Sequence, residues 1–149
     1  MGKHTQLELI RDLAQSREHE LATEVGELQR LKSSAEVALN RLDTYLSEYT
    51  ASATSDGLGT GRQVTQVENE RRFVKRLSLA VEQQRVRTRQ FSDRVNSKLQ
   101  TWQRERAQLM ALERAVTQRR QLSGQLQARR EQTESDAVTG RRMALKNRS

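Results

Sequence analysis

The chain contains no cysteine and no proline, and only five of its 149 residues are aromatic: Tyr45, Tyr49, Phe73, Phe91 and Trp102. The absence of cysteine excludes disulfides and thiolate chemistry. The absence of proline leaves no residue that must break a helix. With so few rings and only 34% apolar residues against 31% charged, the chain cannot fill the thick core of a compact α/β enzyme, whereas its Gln, Arg, Glu, Leu and Ala content suits long solvated helices. Its two histidines, His4 and His19, stand apart, and His19 lies between Glu18 and Glu20 on what reads as a polar helix face. No metal or other cofactor is expected. No stretch approaches the ~20 apolar residues that span a bilayer. The opening MGKHTQLELIRDL lacks the apolar run of a signal peptide, and Gln6 stands where myristoylation wants Ser or Thr. A cytoplasmic protein is expected.

Glycine is also scarce, and three of the seven, Gly57, Gly59 and Gly61, fall together in SATSDGLGTGRQ. The loop lacks the Gly-Lys-Ser/Thr ending and the preceding strand of a phosphate-binding loop, so a hinge is the sufficient explanation. On its N-terminal side Leu7, Ala14, Leu21, Leu28, Ala35, Leu42 and Tyr49 recur every seventh residue. On its C-terminal side Val67, Val74, Val81, Thr88, Val95, Trp102, Leu109 and Val116 do the same. A sustained seven-residue period keeps one narrow stripe of a helix facing a partner, and a disordered chain has no reason to hold one. The fold class predicted is all-α: a long antiparallel two-helix coiled coil, or α-hairpin, with an overhanging C-terminal helix.

A turn centred near Leu58 sets opposite each other residues whose numbers add to about 116, so that Ala35 faces Val81, Tyr49 faces Val67 and Trp102 lies over Ala14. Residues 1–50 carry a net charge of −3 and residues 62–113 a net of +6, which favours pairing within the chain over a parallel homodimer. The expected organisation is one coiled-coil domain over 1–149, with helix 1 at 5–54, a hinge at 55–62, helix 2 at 63–135 and a frayed basic tail at 136–149, since Ser123, Gly124 and a polar terminus weaken the pattern. Residues 114–149 hold nine Lys or Arg against three acids.

An open two-helix rod has no enclosed pocket in which to perturb a pKa or align two groups on a substrate, so no enzyme and no catalytic residues are expected. Binding surfaces are. Leu42, Tyr45 and Tyr49 are a turn apart on one arm, and Phe73, Leu77, Ala80 and Gln84 share a face of the other. Leu39, Leu46 and Val74 compete with Tyr45 and Phe73 for a narrow seam, so these rings are expected to stay exposed as a partner patch. The second candidate is the basic overhang with Arg114, Arg119, Arg120, Arg129 and Arg130. Its charge suits phosphates or an acidic protein surface, but it lacks interleaved aromatics, and nucleic acid is not the expected partner.

The stretches NRLDTYLSEY at 40–49, ENERRFVKRLSLAVEQQ at 68–84 and KLQTWQRERAQLMALERAVTQRR at 98–120, with LELIRDLAQSREHELA near the start, resemble the flagellar type III export protein family FliJ. The resemblance implies a non-enzymatic stalk similar to the γ shaft of rotary ATPases. Such a stalk inserts into the ring of the export ATPase FliI, contacts the membrane export-gate protein FlhA and binds export chaperones, at the cytoplasmic face of the inner membrane. It implies that Leu42, Tyr45, Tyr49, Phe73, Leu77, Ala80 and Gln84 contact the gate; Ala38 and Gln84 depart from the Gln and His that can occur there. The five arginines would enter the ring. The equivalent stalk of an injectisome and a basic nucleic-acid-binding coiled coil are the alternatives.

Overall fold

A computed structural model of the chain describes residues 5–56 and 63–148. It is an all-α helical hairpin of two elements, α1 (Gln6–Asp56) and α2 (Val64–Lys146). The start of α1 is capped by Thr5, whose Oγ1 accepts a hydrogen bond from the Glu8 backbone N–H at 3.3 Å; Thr5 with Glu8 three residues on is the sequence of a capping box. At the start of α2 the Gln63 carbonyl accepts from both Gln66 and Val67. Gly57, Gly59 and Gly61 of the expected hinge lie outside the described residues.

The chain falls into two compact units, Met1–Glu18 with Arg104–Ser149, and His19–Gln103; the expectation was one domain over 1–149. In each unit the helices pair antiparallel. In the unit His19–Gln103, Glu24 meets Lys98 at 2.7 Å and Asp43 meets Arg85 at 3.4 Å. In the other unit Glu8 meets Arg120 at 3.1 Å and Glu18 meets Arg106 at 3.9 Å. These four pairs place the acid on α1 and the base on α2, in line with the charge asymmetry of the sequence, while Arg17 with Glu105 at 3.9 Å is reversed. Each is solvent-accessible and contributes ~0–1 kcal/mol, so the pairs bias alignment more than they stabilise.

The seam is where the seven-residue series predicts. Every member of the second series is buried or half-buried from Val67 to Val116, and so is every member of the first except Tyr49. The fully buried positions are Val25, Ala35, Val81, Val95, Leu109 and Val116, with Val81 the deepest at 2% exposure. Between them run intermediate seam positions, three or four residues away, that the sequence fills with polar groups as often as apolar ones: Lys32, Glu70, Gln84 and Lys98 in one unit, Arg11, Glu18 and Glu105 in the other, all half-buried. Long side chains there keep their stems on the seam and their heads in water.

Side-chain contacts run ahead of the predicted register. Tyr49 stacks on Phe73, six residues past the Val67 expected opposite it, and the Gln84 amide reaches the Ala35 carbonyl, three past Val81. Helical side chains lean toward the N-terminus of their own helix. In an antiparallel pair the two leans are opposed, so long residues touch partners farther along than the backbone spacing implies. Ala35 and Val81, too short to lean, are both buried.

α2 continues to Lys146, past the end at 135 expected from the sequence. A lone glycine costs a helix only about 1 kcal/mol relative to alanine, and no residue between Gly124 and Gly140 blocks propagation. One side-chain pair in this stretch also supports the helix: Gln132 donates to Asp136, four residues on, at 3.1 Å.

Removing two methyls at the deepest seam position, Val81→Ala, is expected to cost about 1–2 kcal/mol. The same change at exposed Val86 should cost nothing measurable; thermal melts followed by helical circular dichroism compare the two.

Candidate partner-binding surfaces

The unit His19–Gln103 carries the aromatic surface. The seam residues Leu42 and Leu46 turn inward and are half-buried, which leaves Tyr45 on the flank at 53% exposure and Tyr49 at 47%. On α2 the same logic turns Val74 and Leu77 inward and leaves Phe73 at 44%. The Tyr49 and Phe73 rings sit 4.8 Å apart, tilted by 56°, a favoured aromatic geometry that joins the two helices at the surface. Leu42, Leu77 and Ala80 are half-buried beside these rings. Gln84 is turned inward instead: its Nε2 donates to the Ala35 carbonyl at 3.1 Å, so it serves the helix pair rather than presenting its amide. The patch read from sequence therefore divides into three exposed rings, three half-buried supports and one inward amide.

Two features of this unit had not been singled out from the sequence. One is a shallow cavity of about 380 Å³ on α1, lined by Ser33, Ser34, Val37, Ala38 and Arg41, one helical turn from Tyr45. The other is Phe91, half-buried, with the guanidinium carbons of Arg87 and Arg94 at 5.9 and 5.8 Å from its ring centroid. The signal for the second was present, since arginines four before and three after an aromatic lie over it on a helix.

The unit formed by Met1–Glu18 and Arg104–Ser149 carries the five arginines of the second candidate surface. Arg114, Arg119, Arg120, Arg129 and Arg130 are all exposed, as is every described residue of α2 from 117 onward. Arg120 is engaged, donating from Nε and Nη2 to Glu8 Oε1 at 3.3 and 3.1 Å. Arg114 borders a shallow depression of about 340 Å³ with Met110, Glu113, Thr117 and Gln118. Leu122, Leu126, Val138, Met143 and Leu145 are exposed along the same stretch. No helix is long and apolar enough to cross a membrane among the described residues.

These features define a class of protein: an antiparallel two-helix coiled coil whose chemistry lies in exposed side chains flanking its seam. Within that class the sequence matches the family described as "Flagellar FliJ protein" over residues 3–148. It is 31% identical over 111 residues to the flagellar FliJ protein of Salmonella typhi, covering 74% of this chain and 75% of the relative. It is 29% identical over 114 residues to that of Escherichia coli (strain K12), with the same coverage. The chain belongs to the flagellar FliJ protein family.

The Tyr49–Phe73 contact is expected to show a coupling of about 0.5–1 kcal/mol in a double-mutant cycle with Tyr49→Ala and Phe73→Ala, the low end of aromatic pairs because both rings are wet. Strict additivity of the two melts would mean that the rings do not help to hold the helices together.

Proposed function

We propose that the chain is a non-enzymatic stalk of the flagellar type III export apparatus, resembling the γ shaft of rotary ATPases. It links the export ATPase ring of FliI to the export-gate protein FlhA and binds export chaperones, and its association with the inner membrane runs through the gate at the cytoplasmic face. The observation that carries the reading is the family match over residues 3–148, joined to a division of surface chemistry between the two units. The unit His19–Gln103 exposes Tyr45, Tyr49 and Phe73, while the other holds Arg114, Arg119, Arg120, Arg129 and Arg130, all exposed.

In this reading the gate recognises the aromatic surface. Exposed rings clustered over half-buried Leu42, Leu77 and Ala80 supply rigid apolar area at small entropic cost, which is the make-up of an interface hot spot. The ATPase ring takes the basic helix. Arg114, Arg119, Arg129 and Arg130 have no carboxylate partner among the described residues and are open to an acidic protein surface. A flagellar rather than an injectisome stalk is favoured because the matched family is a flagellar one.

The Tyr45→Ala, Phe73→Ala double variant is expected to keep its helical content and its affinity for the ATPase ring while losing gate binding at least tenfold, an effect of the size that two anchor residues produce. Unchanged gate binding in that variant would remove the aromatic half of the reading. Replacing Arg119, Arg129 and Arg130 by Gln is expected to weaken ring binding roughly tenfold at low salt, with the difference shrinking as salt rises. A duplex DNA fragment titrated over the same salt series tests the nucleic-acid alternative, which wins if DNA binds steeply with salt and the ring does not bind at all.

A further inference from the structure

Phe73, Ala80, Arg87 and Arg94 are spaced seven apart, and each immediately precedes a seam residue: Val74, Val81, Thr88 and Val95. In a supercoiled pair that spacing holds all four on one edge of the seam. On α1, Leu31, Ala38 and Tyr45 likewise precede the seam residues Lys32, Leu39 and Leu46. Asp43 and Arg85, which follow seam residues instead, pair with each other on the other edge. The edge that begins with the Tyr45 and Phe73 rings thus continues through Ala38 and Ala80 to Leu31, 49% exposed, and to the cluster of Arg87, Phe91 and Arg94.

Arg87 and Arg94 are exposed, and neither has a carboxylate partner among the described residues. Both guanidinium groups are instead laid over the Phe91 ring. A cation held by a ring face keeps its charge and most of its donors for another molecule, and loses less freedom when that molecule arrives. The two arginines are separated by about 10 Å along the axis, seven residues at 1.5 Å each.

We infer that this edge is a single docking surface on which a partner's acidic helix lies: its apolar side chains against Tyr45, Phe73 and Leu31, and two carboxylates, one about two turns from the other, against Arg87 and Arg94. The inference rests on the reading of Tyr45 and Phe73 as gate contacts and adds that the gate segment docked there is acidic. A nucleic-acid strand fits less well, because Phe91 is half-buried and already covered by guanidinium groups, so it is not free to stack on a base.

The test is gate affinity of the full chain at physiological salt, with three variants compared to the parent. Arg87→Glu with Arg94→Glu should lower affinity at least tenfold with helical content unchanged. Arg76→Glu with Arg89→Glu makes the same charge change at exposed positions off this edge and should lower it less than threefold. If both charge reversals weaken binding equally, or neither does, the acidic-helix inference is overturned. If Tyr45→Ala with Phe73→Ala abolishes binding while Arg87→Glu with Arg94→Glu does not, only this inference falls and the aromatic reading stands. Should the parent chain not bind the gate at all, both fall. Loss of duplex DNA affinity in place of gate affinity would make the edge a phosphate surface and also overturn the proposal. If the charge reversal lowers helical content, Arg87→Gln with Arg94→Gln reads the same comparison.

Discussion

Two helices laid side by side share one narrow strip of contact, and everything else about this protein is organised by how little that strip can hold. A globular domain of this length buries residues from several directions, whereas here a side chain must sit within the seam or be left in water. Six apolar residues are buried among the described residues, and none is larger than leucine. The strip accepts valine and alanine best, since small β-branched or short residues let two helix axes approach closely. Two helices cannot fully enclose a large ring, and even the seam residues Phe91 and Trp102 are only half-buried. The exposure of Tyr45, Tyr49 and Phe73 is therefore a geometric outcome of pairing two helices rather than many, and it places adhesive area on the outside without any need for a pocket.

The polar residues within the seam act on the same constraint from the other side. Lys32, Glu70, Gln84 and Lys98 occupy positions that a maximally stable coiled coil would fill with leucine. Each substitution of a stem and a wet head for a branched apolar side chain gives up part of the area removed from water. In exchange such positions restrict which alignments are tolerable. Gln84 illustrates this: its amide finds the Ala35 carbonyl only when the helices lie in the observed register. A sliding pair would leave that half-buried amide without its acceptor.

The fold was largely legible because the seam repeats. Val81 and Val95 fall in one series and Ala35 in the other, and the structure buries all three. What the repeat does not carry is the direction in which a long side chain leans, so Tyr49 was assigned to the seam opposite Val67 and instead stands half in water against Phe73. The same omission counted Gln84 among surface residues when it reaches inward. The end of α2 lies beyond the 135 read from the sequence for a different reason. Helix persistence without a partner depends on backbone propensity and local side-chain pairs, such as Gln132 with Asp136, and periodicity is silent about both. The Phe91 cluster went unnoticed because a half-buried ring in the seam reads as structure alone, and only the positions of Arg87 and Arg94 over it reveal a second use.

The spread of sequence distances between paired residues has a kinetic meaning. Arg85 and Asp43 close a loop of 42 residues, while Arg120 and Glu8 are separated by 112. Brought together directly from the unfolded chain, the wider pair costs about 0.9 kcal/mol more in loop-closure entropy, so assembly runs from the pairs nearest the turn toward the termini. The pairs that hold Glu8, Glu18, Arg106 and Arg120 are last to form, and each adds only ~0–1 kcal/mol to what the burial of Leu109 and Val116 contributes in the same unit. The chain thus has a built-in order of closure, in which contacts near in sequence form before those that join its two ends.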